Sequence, residues 1–243
     1  MSTTLPASIL AVGLALAGLL VGNGFARGRA GDRFVTVKGV AERPVKADLA
    51  IWPLRIAGAD DDLATANKKL ATSIAGVRDF LVRHGVDTSQ VQLTGFSVAD
   101  AYADNYASDR KPTNRYVIHQ TMLVRSVQPD RVLTASQLVS ELATIGVAIS
   151  SGNGEYGPGG GGPTFVFSKL NELKPAMIAD ATARAREAAA QFARDSHSAL
   201  GEIRQANQGV FEILPRDQAP GITEENQITK VVRVVSTIDY YLK

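Results

Sequence analysis

Residues 45–86 read VKADLAIWPLRIAGADDDLATANKKLATSIAGVRDFLVRHGV, and a change of period within them sets the fold class. Over 45–57 the apolar side chains alternate: Ala47, Leu49 and Ile51 fall on one face, Trp52, Leu54 and Ile56 on the other. That is the period of a strand. Pro53 has no N–H to give to a ladder, which predicts an edge strand or a bulge at this point. From Leu63 the step becomes three and four, so that Leu63, Ala66, Leu70, Ile74, Val77 and Leu81 form one helical stripe. Asp60, Asp61 and Asp62 precede it, where carboxylates suit the positive end of the helix dipole and cap free amides. Gly85 is the expected left-handed terminator, with Val86 folding back on the last turn.

Working outward, Phe34–Val40 is a β-rich run that Glu42-Arg43-Pro44 interrupts. Val91–Ala103 and Arg115–Ser126 read as antiparallel strands joined by the polar loop Asp104–Asn114. A second helix starts near Pro129, carries Val132, Ala135, Val139 and Leu142 on its stripe, and stops at Gly146. Ser151–Pro163 is a Gly/Pro loop and Thr164–Ser168 a short strand. A third helix spans about Lys174 to Leu200. Ile178, Ala181, Ala185, Ala188 and Phe192 make its narrow face, opposite Asp180, Arg184, Glu187, Gln191 and Arg194. Small residues on that face predict close packing against a sheet or a neighbour. Gly201 is the expected stop. Ile203–Ile213 and Lys230–Leu242 supply the last strands, separated by Leu214–Gln227. The order predicts an α+β fold: mixed or antiparallel sheets with three main helices in βαβ-like units.

The composition narrows the function classes. Hydrophobic residues make up 45% and charged residues 21% of 243, as in an ordinary globular protein. A net charge of +2, with no basic run, leaves nucleic-acid binding without an electrostatic footprint. The absence of cysteine excludes disulfides, thiolate metal sites and cysteine nucleophiles. Leu5–Ala26 has no charged side chain, and as a helix it spans roughly 33 Å, enough for a hydrocarbon core. The expected organisation is a membrane anchor over 1–26, a linker over 27–33 and one domain over 34–243. Gly24 and Ala26 have the spacing of a signal-cleavage site, so secretion after cleavage is the alternative. Arg27, Arg29 and Arg33 follow the segment, a charge bias that pulls towards a cytoplasmic domain.

No catalytic, cofactor or metal residues are expected. His84, His119 and His197 form no HxxH or HExxH pair. Asp100–Asp109 lacks the spacing of a calcium loop and reads as a solvated hairpin tip. Gly157–Pro163 is followed by a strand, without the Lys-Ser/Thr of a phosphate loop. No GxSxG or SxxK set is present. The candidate contact residues are Trp52, Tyr102, Tyr106 and Tyr240. Tyr240 lies in the alternating strand Val232, Val234, Ile238, Tyr240, which predicts pairing across an interface.

Val35-Thr36-Val37-Lys38-Gly39, followed by Pro44 and Ala47-Asp48, resembles the opening of the SIMPL domain. The resemblance continues through Gly85-Val86, Val91–Val98 with Thr94, Phe96 and Ser97, the Tyr116 strand and Ile145-Gly146-Val147. It ends with Phe165-Val166-Phe167, Leu173-Lys174-Pro175, the Ala/Arg-rich helix through Phe192-Ala193, and Leu200-Gly201. It covers 34–243; only Gly157–Pro163 is richer in glycine than the pattern. The resemblance implies a periplasmic or outer-membrane-associated protein with a role in envelope or oxidative stress. One relative is described as assembling into a large ring-like or channel-like homo-oligomer. No catalytic residues are established for the family. The expected function is therefore that of a non-catalytic, self-assembling cell-envelope protein, anchored in the inner membrane through its N-terminal helix with the domain in the periplasm. A binding module for a small molecule or wall component, using Trp52, Tyr102 and Tyr106, is the alternative, and a hydrolase the third reading.

Overall fold

A computed structural model describes residues 13–24, 33–103, 113–150 and 162–243. The elements are α1 (13–24), β1 (Phe34–Lys46), β2 (Leu49–Asp60), α2 (Leu63–Arg83), β3 (Gln92–Asp100), β4 (Tyr116–Ser126), α3 (Pro129–Gln137), α4 (Ser140–Thr144), β5 (Ile149–Ser150), β6 (Thr164–Val166), α5 (Leu170–Asp195), β7 (Leu200–Gln208), β8 (Glu212–Pro215), a 3₁₀ turn at Glu224–Asn226, and β9 (Thr229–Leu242). The fold is α+β with two antiparallel sheets. The chain forms two compact units. One comprises Met1–Glu42, Leu173–Glu212 and Arg233–Lys243; the other comprises Arg43–Glu172 and Ile213–Val232.

In the second unit the sheet order is β3-β4-β2-β5, with β6 also paired to β2. Ala50, Trp52, Leu54 and Ile56 of β2 alternate into a core with Leu70, Val77, Phe80 and Leu81 of α2 and with Ile118, Met122 and Val124 of β4. Asp62 caps α2, accepting from the Thr65 amide at 2.8 Å. At its far end Gly85 (φ 70°) donates to Val82 and Val86 to Leu81, the two bonds of a Schellman motif.

Two expectations need correction here. β2 is central, not an edge: Pro53 faces Leu123 across β4, while β6 pairs at 49–51 and β5 at 55–56. The Ala57 amide donates to Ala148 on the β5 side, so by alternation the Pro53 nitrogen faces the same side. It lies in the gap between the two short strands, where no donor is needed. The single second helix is instead two short ones, because the Leu138 amide returns to Ala135 in a tight turn.

In the first unit α5 packs Ala185 and Ala189 against Val35, Ile238 and Tyr240. Its buried stripe is Met177, Ala181, Ala185, Ala189 and Ala193, a strict four-residue step. Ala188 and Phe192, expected on that face, are exposed. The helix starts at Leu170, so Pro175 lies inside it rather than in its first turn. Its stop is His197 (φ 52°), with Ser198 donating to Ala193 and His197 to Arg194; Gly201 belongs to β7.

Leu14, Leu16, Leu19, Leu20 and Val21 of α1 are exposed. Among the described residues no helix is long and apolar enough to cross a membrane. The expected anchor Leu5–Ala26 falls partly outside the described residues, as do most of the loops expected at Asp104–Asn114 and Ser151–Pro163.

Candidate functional site

The candidate contact residues do not converge. Trp52 and Tyr240 are both buried, each in the core of its own unit. Tyr102 is 58% exposed, and Tyr106 lies outside the described residues. Trp52 faces Val124, whereas Tyr102 follows Asp100, which faces Tyr116. Eight residues of β4 separate those levels, about 26 Å along the strand.

Tyr102 instead belongs to a cluster at the end of the β3–β4 hairpin. Arg115 donates to Asp100 from Nε at 3.3 Å and Nη2 at 3.1 Å. Its guanidinium lies 4.8 Å from the Tyr116 ring and 5.7 Å from the Tyr102 ring. The Arg115 side-chain bond and the Tyr102 amide hold the Asp100 carboxyl below its usual range, and Asp100 raises the Arg115 pKa. Such an exposed pair adds little stability; its effect is to orient Tyr102. The flanking Tyr102 and Arg115-Tyr116 are the sequence signal for this cluster.

Beside the cluster runs β3, which pairs with β4 alone among the described strands. Leu93, Phe96 and Val98 are 45%, 59% and 46% exposed. Gly95 (φ 59°) makes a bulge between Thr94 and Ser97, and no ionisable side chain occurs in β3 before Asp100. An unpaired strand edge with apolar side chains is a template for another chain.

Two concavities lie in the same unit. A groove of 810 Å³ runs between α2 and the end of β2, floored by Ala57, Gly58 and Ala59 and flanked by Lys68, Thr72 and Asp79. A cleft of 450 Å³ is lined by Trp52, Leu54, Val139, Leu142 and Ile149.

The groups capable of acid–base work are engaged structurally or stand apart. His84 Nε2 is 3.1 Å from Glu141, with its ring against Phe80. His197 closes α5, and His119 lies on the sheet. Ser168 donates to Asp48 from its hydroxyl at 2.6 Å and its amide at 2.7 Å. Burial pushes the Asp48 carboxyl up, but the Ser168 donors and Lys169 outweigh it and the net shift is downward. Lys230 is fully buried, its ammonium 2.5 Å from the Glu224 carboxylate and also bonded to the Glu224 carbonyl. The pair ties the 3₁₀ turn to the start of β9, and only the fold reveals it. Among the described residues no three His, Cys, Asp or Glu side chains gather as a metal site.

The chain is similar over 80% of its length, and 91% of the other, to a crystal structure titled as an uncharacterized conserved protein from Listeria innocua, at 12% identity and a TM-score of 0.21. No curated protein matches it. The model of one family, SIMPL, described as a protein of unknown function (DUF541), matches residues 35–235, so the chain belongs to the SIMPL family.

Proposed function

We propose that the chain is a non-catalytic cell-envelope protein, tethered to the inner membrane by its apolar leader, that assembles with copies of itself and contributes to envelope and oxidative stress defence. The observation that carries the assembly is the outer edge of β3, which no other described strand pairs, with exposed Leu93, Phe96 and Val98. A second chain laid along this edge gains main-chain hydrogen bonds and covers apolar surface. The leader, uncharged from Leu5 to Ala26, and membership of the SIMPL family support the envelope placement.

Light scattering of the detergent-extracted full chain tests the assembly. The expected mass is a multiple of 25.8 kDa that falls to the monomer in Phe96→Asp, with Trp52 fluorescence unchanged. A monomeric wild type removes the assembly. An alkaline phosphatase fusion after residue 40 is expected to be active; an inactive one sinks the periplasmic placement. A binding module is the second reading, favoured by the Trp52-lined apolar cleft. It ranks lower because Tyr102 lies far from that cleft.

A further inference from the structure

The sheet of the second unit gathers, on the face turned away from its buried core, a polar cluster uncommitted among the described residues. Arg55 stands opposite Thr121, and Thr121 opposite Thr94. Two residues along, Ala57 stands opposite His119, and His119 opposite Ser97. Directly paired residues share a face, so these side chains point away from Leu54, Ile56, Ile118 and Met122, which fill the core. The Gly95 bulge is decisive. Without the extra residue, Phe96 would stand opposite His119; with it, Ser97 does.

The ionisable groups at the described paired positions of this face are all basic. The paired positions there carry Arg55, Arg125 and His119, and no carboxylate. His119 Nδ1 is buried and has no hydrogen-bond partner among the described residues. Burial first, and then the positive charge of Arg55, depress the His119 pKa. Neighbours across the strands are about 5 Å apart and those along a strand about 7 Å. That spacing suits donors converging on one tetrahedral oxyanion.

We propose that Arg55, His119, Thr121 and Ser97 bind the phosphate group of a small solute. The guanidinium takes two oxygens, the hydroxyls donate to the others, and the imidazole supplies a further donor. A guanidinium, two hydroxyls and an imidazole that charges on binding match a four-oxygen dianion better than a two-oxygen carboxylate. A bound dianion favours the charged imidazole, and by reciprocity protonation of His119 tightens binding as long as the phosphate remains a dianion. This site lies on the face of the sheet and shares only Ser97 of β3 with the strand whose edge is proposed for assembly.

The test uses the detergent-solubilised full chain with labelled histidine, whose three imidazoles are read by NMR. Inorganic phosphate is the probe, with acetate at matched ionic strength. Phosphate is expected to raise the His119 titration midpoint by roughly half a unit or more, leaving His84 and His197 in place. Arg55→Gln should abolish the shift, and Thr121→Val should weaken the phosphate dependence several-fold. The proposal is overturned if His119 moves no further than His197, if acetate matches phosphate, or if Arg55→Gln retains the shift. Trp52 fluorescence checks the fold of each variant; should Arg55→Gln unfold, Thr121→Val decides alone, and an unaltered phosphate dependence there overturns the site.

Discussion

His197 holds the left-handed position that closes α5, at φ 52°, where Gly85 and Gly146 close α2 and α4 at φ 70° and 79°. All three ends make the same pair of backbone bonds. A side chain with a Cβ costs about 1–2 kcal/mol in that region, whereas glycine enters it freely. Part of the gain from glycine is offset by its greater freedom when unfolded. His197→Gly should therefore stabilise the chain by about 0.5–1 kcal/mol, read as a higher urea midpoint. A lower midpoint would show that the imidazole makes a contact worth more than the strain. Gly85 and Gly146 were legible as helix stops because glycine is the usual residue there. The third stop was not, because the histidine carries no such local signal and Gly201 lay close by as a decoy.

At the scale of elements, the alanine face of α5 governs how near a strand can come. A Cβ on Gly39 would stand 2.6 Å from the Ala185 nitrogen, within backbone that has no room to yield. Gly39→Ala should then cost about 1–3 kcal/mol by forcing helix and strand apart. Ala188→Leu, on the exposed side, should stay within about 0.5 kcal/mol of wild type. Thermal unfolding of both variants checks the contrast; equal effects would mean the helix lies differently. The sequence foretold the close approach, since only small residues recur along that side. Its period put Ala188 on that side where the fold turns Ala189 inward, because neighbouring positions on a 3.6-residue period differ little until a partner surface chooses between them.

On the scale of the whole molecule, the second unit carries the depressed pKa values of Asp48, Asp60, Asp87, Asp100 and His119. Each lowered carboxyl contributes stability that is present above its unfolded value near 4 and is lost as pH falls towards the folded one. His119 is also lowered, so the folded state resists its protonation, and stability falls as pH drops below about 6.5. Trp52, the single tryptophan, is buried in this unit's core and reports its unfolding. The urea midpoint seen by Trp52 should decline from pH 7 to 5 and fall more steeply below 4. A midpoint that rises on acidification would contradict the sign. By itself the sequence determined the α+β class, the place of α2 with its acidic start and glycine stop, the β3–β4 pair and the uncharged leader. Those follow from period, caps and charge within a few neighbouring residues. Only the tertiary structure decided that Pro53 fits a central strand, that Lys230 is buried against Glu224, and that Arg55, Thr121, His119 and Ser97 share a face. Each depends on strand register, and a shift of one residue in pairing would send those side chains to the opposite side of the sheet.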